Sequence, residues 1–587
     1  MKRYLASVIL LVAFSVYFTG VFTEKGSTDL SSLSEAPSAS RSFASFKLQP
    51  LPLKAQDFPK LTSTEEAHSY LATVHERVTQ NWKPSYSVFI PYFDSLNRPY
   101  FREHDRAQTV PITNGFQTFQ AGKLVTNSIS LSTFNDIYSA ELTQKVSGSS
   151  QDILWDPKMA VFDQNDQMYT VTRMNKNLAD APSYLMLQSK DYGVTWTATP
   201  IVGTPTTACV FKNIKTGACQ TPELYDIERP YSKEALPTAP AFLHYVGSGK
   251  LPGYEKAPSW LGTYGRLYLQ PVKDTPEGLK PEAPILISEM AQEIGYRSGG
   301  APKIIHSGEK YFVVWLEATP SYVPKMDQNG QPIVLAPDSS ENPFSAIWIA
   351  EYNTRTKILA KQELLKTWPV NDTHNQPGIV RASDGTLHVI GGGHGSHFTY
   401  TYSLKPDSIA SWSQAVPMNT QDSGYKARYS SPNWTGGSQT YISMMIDSKD
   451  QIHTVYRQWA HDKSVFDFDY FGALVYQKGS YDKKTKKFVW DVARILVYPN
   501  ASEYTHWYQL LNLDKQDHLY IEYSNSRPAV PYFFKTADGK AINVSPMLNN
   551  ALLRSDDEGF TWYFPSDQDF IQSAQDKPIR VPKTRAE

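Results

Sequence analysis

From about residue 85 onward, apolar and polar positions alternate over short runs closed by Asp, Gly or Asn, the mark of half-buried strands joined by tight turns. One phrase, a turn followed by an alternating strand, recurs along the chain. It reads Asp166-Gln-Met-Tyr-Thr-Val-Thr-Arg173, and returns at Gly265–Gln270, Glu309–Trp315, Gly385–Ile390, Asp450–Arg457 and Asp517–Tyr523. Its equivalent positions are Met168, Leu267, Tyr311, Leu387, Ile452 and Leu519, the last three spaced by 65 and 67 residues. That interval suits one four-stranded blade with its loops. Six phrases and an opening strand near Tyr86–Tyr92 predict an all-β fold, a β-propeller of about seven blades over 85–587. A two-sheet sandwich is the alternative, but sandwiches do not repeat one phrase at blade length.

The region before residue 85 has a different pattern. Residues 61–84 predict a short helix: Ser63 and Glu66 form a capping box, and Tyr70, Leu71, Val74 and Val78 share a face. Residues 24–60, rich in Ser, Pro and Ala, read as a linker. Residues 1–23 read as a signal peptide or an uncleaved anchor. Lys2 and Arg3 precede an apolar run from Tyr4 to Phe18, short for a membrane span. The expected location is therefore secreted, periplasmic or cell-surface. Cys209 and Cys219 are the two cysteines of the chain. In an exported protein this close pair reads as a disulfide closing a small loop, the alternative being two unrelated buried thiols.

Composition narrows the function classes. With 57 basic and 58 acidic residues the net charge is −1, which excludes a globally basic nucleic-acid binder. A 41% hydrophobic content supports a large core, and 40 Pro with 32 Gly favours strands and turns over long helices. Two segments sharpen the fold. Ser189-Lys-Asp-Tyr-Gly-Val-Thr-Trp196 and Ser555-Asp-Asp-Glu-Gly-Phe-Thr-Trp562 both read S-x-D-x-G-x-T-W. They resemble the Asp-box of sialidase-type propellers, a structural turn in which Asp satisfies backbone N–H groups, Gly takes the strained position and Trp packs between sheets.

Candidate chemistry follows from register. The first strand of a blade runs away from one mouth and the second returns, so residues equally far from the connecting turn end together. About Asp384-Gly385, His374 and His394 are equidistant; about Lys449-Asp450, Tyr441 and Arg457 are. Adjacent blades thus deliver His374, His394, Tyr441 and Arg457 to one mouth. The next blade repeats the geometry with His506 and Arg527. Asn375, Gln376, His397, Trp434 and Trp459 flank the site as candidate substrate contacts. The glycines Gly391-Gly392-Gly393 allow close approach of a ligand to the backbone. His388 and His453, within strands, read as structural.

His374-Asn-Gln-Pro-Gly378, Gly392-Gly-His-Gly395, Tyr441 and Tyr456-Arg457 together resemble the catalytic His, His, Tyr and Arg of the propeller polysaccharide lyases that cleave ulvan, within the wider group of BNR-type secreted proteins. The resemblance covers residues 370–465, and the motif stands later in the chain than in those lyases. It implies β-elimination on a uronic-acid-containing, acidic polysaccharide by a monomeric secreted enzyme. Arg457 and His394 would neutralise the uronate carboxylate, Tyr441 or His374 would take the α proton, and Tyr441 would protonate the leaving oxygen. No cofactor is needed for that chemistry. The lyases carry a structural zinc; His461 stands where a ligand would be, but with no Cys nearby no metal site is assigned. Two other readings compete. A rhamnosidase- or sialidase-like glycoside hydrolase would normally need a carboxylate pair across the bond. A non-catalytic glycan-binding propeller would use Trp434, Trp459 and Trp507 as stacking platforms.

Overall fold

The computed structural model describes residues 51–52, 84–103, 115–129, 159–173, 184–202, 223–257, 260–293 except 277, 300–322, 344–367, 370–394, 397–418, 439–460, 471–497 except 483, 486 and 492, 506–525, 533–535, 541–543 and 550–574. These residues form antiparallel sheets and one short helix, Asp567–Ser573. Sheet A spans residues 92–128, sheet B 161–202, sheet C 223–367, sheet D 378–417, sheet E 439–497 and sheet F 506–555. Sheet C is two four-stranded units joined by the single pair Ala291↔Glu317. Leu51–Pro52 lies in the expected linker yet pairs with Arg494–Val497 on sheet E. The signal segment, the helix over 61–84 apart from its last residue, and Cys209 and Cys219 lie outside the described residues.

The sheets meet face to face in chain order. Tyr100 and Phe116 of sheet A pack with Phe162 and Leu185 of sheet B, and Ile305 and Phe312 of sheet C with Ile379 and Leu387 of sheet D. The last sheet returns to the first: Phe93, Phe101 and Phe119 share a core with Leu511, Tyr520 and Ile521. The helix closes this seam. Its Phe570 sits 4.9 Å from Phe101 and 5.5 Å from Tyr520, ring centre to ring centre, and the Tyr86 hydroxyl donates to the Pro565 carbonyl at 2.7 Å. This layout is propeller-like.

The turns between the first two strands explain the repeated phrase. Asp94, Asp163, Asp447 and Asp514 each accept backbone N–H groups two and four residues later. The fourth turn residue, Asn97, Asp166, Asp450 or Asp517, is left-handed, a conformation Asn and Asp tolerate best after Gly. Those fourth residues also join neighbouring sheets. Ser95 donates to Asp166, Ser383 to Asp450 and Ser448 to Asp517, while the Lys515 N–H donates to Asn97 at 2.7 Å. One rim is thus laced by its own turns.

Sheet C departs from the sequence expectation. The phrase at Leu267 falls on the third strand of its unit, Thr263–Gln270; the second is Phe242–Lys250. No tight turn precedes that second strand. Residues 228–241 instead reach across the laced rim, where Leu236 exchanges backbone bonds with Phe162 and Gln164, the Tyr231 carbonyl accepts from Ile446, and the Lys233 carbonyl accepts from Lys515.

Both Asp-box turns have the expected geometry. Asp191 and Asp557 each take the N–H and hydroxyl of the Thr four residues on, and Trp196 and Trp562 donate to the carbonyls of Gly193 and Gly559. Trp562 packs edge-on to Tyr476 of sheet E, 5.3 Å between ring centres. Gly559 is left-handed, φ +85°, and a Cβ there would lie 2.3 Å from the Tyr476 ring. Gly559→Ala is expected to lower folding stability by about 1–3 kcal/mol, read as a reduced midpoint in urea denaturation. An unchanged midpoint would contradict this account of the turn.

Candidate functional site

Sheets D and E place the four candidate residues at the rim opposite the laced turns. In sheet D, Gly378 pairs with Ile390, and His374 and His394 lie four residues beyond this pair on either side. In sheet E, Thr440 pairs with Arg457 and Ser443 with Val455, so Tyr441 and Ile442 together face Tyr456 in a β-bulge. Tyr441 takes a left-handed backbone, φ +58°, which re-aims its side chain. The Gln509 side chain of sheet F donates to the Tyr441 carbonyl and holds the bulge. Sheets D and E are docked at this point by His394 N–H to the Gln439 carbonyl, 2.6 Å, and Phe398 N–H to Gln439 Oε1, 2.7 Å.

The four side chains meet. The rings of His374 and His394 stack with centres 4.1 Å apart, and His374 lies 5.9 Å from Tyr441 at 70°. Arg457 Cζ lies 4.6 Å from the Tyr441 ring centre, and Arg457 Nε donates to Thr440 Oγ1 at 3.1 Å. Arg457 has no exposed surface. Its guanidinium stands against the phenol ring, and His394 is the more open end of the group.

The residue that organises the histidines is one the sequence reading missed. Asp372 is buried, and its two oxygens each engage one imidazole: Oδ1 to His374 Nδ1 and Oδ2 to His394 Nδ1, both at 2.5 Å. Oδ1 also accepts the His374 backbone N–H at 2.9 Å. Despite burial, the two histidines hold the Asp372 carboxyl far below the usual carboxylate range. Burial, then the charge of His394, brings His374 down to about 4, against the pull of Asp372. A neutral His374 with its proton on Nδ1 carries its lone pair on Nε2. Asp372, His374 and His394 also form the one cluster among the described residues whose ligand atoms lie close enough to share a metal ion. The signal for Asp372 was present: an Asp that accepts the backbone N–H two residues on makes a local turn, and that turn sets Asp372 beside His374.

Asn371 ties this segment down. It is left-handed, φ +57°, and buried. Its side chain donates to Tyr254 Oη and the Thr319 carbonyl and accepts from Gln292 and the Thr319 N–H, while its own N–H donates to Ser345 Oγ.

The other predicted contacts divide. Gln376 is buried; it accepts from the Tyr225 hydroxyl and donates to the Glu293 and Thr373 carbonyls, so it serves the scaffold and not a ligand. Asn375 is likewise buried. His397 is half-buried on the same connection as His394. Of Trp459, His506 and Trp507 the structure describes the backbone alone; Trp434, His461 and Arg527 lie outside the described residues. The glycine run is also corrected: a Cβ on Gly391 would meet Ile347 at 2.3 Å and one on Gly393 the Gln439 carbonyl at 2.3 Å, so protein and not ligand approaches this backbone. His388 and His453 bond to Tyr400 and Tyr476 inside their sheets, as a structural role requires.

Residues 322–585 match a family model described as BNR repeat-containing family member. No curated protein matches the chain. Among solved structures, an ulvan lyase from a new family of polysaccharide lyases, bound to -[GlcA(1-4)Rha3S]-, is 15% identical over 46% of this chain and 56% of its own, TM-score 0.27. That match spans little more than half of the lyase. A second structure of an ulvan lyase from a new family is 9% identical over 84% of this chain and 97% of its own, TM-score 0.35. An α-L-arabinanase of Penicillium chrysogenum complexed with arabinobiose is 11% identical over 63% and 90%, TM-score 0.29.

The depressed His374 fixes a sign. Its folded value, about 4, lies below the unfolded value of 6.5, so the unfolded chain takes the proton first. The stability it contributes is complete above about pH 6.5 and is lost as pH falls through 4, on the order of 3 kcal/mol in all. Asp372 acts in the same direction at lower pH. Urea midpoints measured between pH 7 and 4.5 should fall less steeply in His374→Asn than in the unsubstituted protein; equal slopes would refute the burial of a neutral imidazole.

Proposed function

We propose that this protein is a secreted polysaccharide lyase that cleaves a uronic-acid-containing, ulvan-like polysaccharide by β-elimination on a closed propeller of seven blades. The seven units are sheets A, B, D, E and F and the two halves of sheet C, and the return of sheet F to sheet A supports closure. One observation carries the reaction: a buried guanidinium standing against the Tyr441 ring, beside two imidazoles gripped by one carboxylate.

In this reading the uronate carboxylate enters at His394, and the fixed charge of Arg457 stabilises the enolate-like state. Tyr441 Oη, on the ring that Arg457 stands against, removes the proton on the carbon α to the carboxylate. The C–H electrons form the new C=C bond, the C–O bond to the leaving sugar breaks, and Tyr441 returns the proton to that oxygen. His374, neutral above about pH 4, is the acceptor for the uronate epimer whose proton faces the other way. A glycoside hydrolase fits less well: Asp372 is buried and committed to both imidazoles, so it is not placed as one of two carboxyl groups across a glycosidic bond.

The test is the near-ultraviolet absorbance of an unsaturated uronate, followed on a panel of uronate polysaccharides; no absorbance on any of them would end the lyase reading. Tyr441→Phe should lower turnover by ~10²–10⁴-fold with substrate binding retained, since the loss is confined to the transition state. Arg457→Lys, which lacks the planar face, should reduce turnover more than binding. His374→Ala should affect glucuronate and iduronate linkages unequally. His388→Ala and His453→Ala should lower melting temperature while the folded enzyme keeps most of its turnover. If Tyr441→Phe were near normal and His388→Ala inactive though folded, the roles would be misassigned.

A further inference from the structure

The connection between Phe242–Lys250 and Thr263–Gln270 of sheet C crosses to the segment that bears Asp372, ahead of the strand Gly378–Arg381. Gly262 N–H donates to the Asn371 carbonyl at 2.9 Å, Leu261 bridges to Asp372, and Thr373 N–H donates to the Trp260 carbonyl at 3.0 Å. The crossing is braced from within. Lys250 Nζ donates to the carbonyls of Ala257, 3.2 Å, and Leu261, 2.5 Å, and Leu251, Tyr254 and Ala257 form a small core with Ala318. The two aromatic rings of this connection have different surroundings. Tyr254 is buried and bonded to Asn371, whereas Trp260 keeps part of its surface exposed. Its ring lies 6.0 Å from His374 at 64°. His374 is thus flanked edge-to-face by Tyr441 and by Trp260, one from sheet E and one from sheet C.

We infer that Trp260 is a sugar-binding platform, stacking on the C–H face of the pyranose next to the uronate that reacts at Tyr441. The inference rests on the lyase reading for the identity of the substrate. An indole offers a broad, rigid apolar face at low entropic cost, and a pyranose presents C–H bonds on one face with hydroxyls around its rim. Because the backbone of Trp260 is bonded to the segment that carries Asp372 and His374, the platform and the reacting group keep a fixed spacing. A polysaccharide held at both points has its scissile bond placed before chemistry begins.

Binding and chemistry are read separately. Affinity electrophoresis in gels containing the acidic polysaccharides measures binding, and the unsaturated product measures elimination. Trp260→Ala should weaken binding to the polymer by roughly tenfold, with the kinetic loss in KM rather than kcat. Trp260→Leu, which keeps apolar bulk without the ring face, should lose binding to a similar degree, and Trp260→Phe should recover most of it. If Trp260→Ala does not fold by circular dichroism, the Leu and Phe variants decide. Wild-type retention in gels with Trp260→Leu would overturn the platform while leaving elimination intact. Loss of retention in that variant, with no unsaturated product from the unsubstituted enzyme, would instead retire the lyase and keep the platform.

Discussion

One buried carboxylate holds this site together. Asp372 has two oxygens and two imidazoles to satisfy, and burial leaves no water to do the work for it. The ring orientations of His374 and His394, and their stacking, follow from that arrangement. The position of Asp372 depends in turn on Asn371, whose amide draws segments around Tyr254, Gln292, Thr319 and Ser345 to one point. A single anion keeps the two imidazoles side by side, and the deeper burial of His374 sets it apart from the more open His394.

Tyr441 shows a second way of positioning a group. A regular strand would give it an alternating direction; the bulge and left-handed backbone turn it out of that alternation, and Gln509 from the next sheet secures the displaced carbonyl. Strain of this kind persists where the surroundings over-determine it. Sheet F carries a bulge at the corresponding place, between Trp507 and Leu510. Two neighbouring sheets thus share the device, and sheet E supplies the tyrosine and arginine that use it.

Much of this was legible in the sequence because it is local. The Asp-x-x-Asp turns and the Asp-boxes are complete within a few residues, and strand alternation with turn position sets the register that brings His374 opposite His394. The Leu267 phrase misled because sheet C replaces its tight turn by the crossing residues 228–241, and an alternating strand does not reveal its rank within a sheet. Gln376 and the glycines looked like ligand contacts because polar or bare positions beside a site have the same sequence signature whether they meet ligand or protein. Trp260 and Asn371 act across long stretches of chain, through contacts with no local pattern; Asp372, two residues from His374, was within reach of an Asx-turn argument.

The laced rim has a consequence for how such a protein changes over time. Spacing between sheets is set by Ser-to-Asp and Lys-to-Asn bonds among turns on the side away from the histidines. On the histidine side the contacts between sheets are instead particular to each place, as where Gln439 docks sheet D on sheet E and Gln509 holds the Tyr441 carbonyl. The crossing that bears Trp260 joins that side through backbone bonds to the segment 371–373. The turn lacing and the histidine cluster are thus physically separate, so a substitution at one rim can leave the bonds of the other in place.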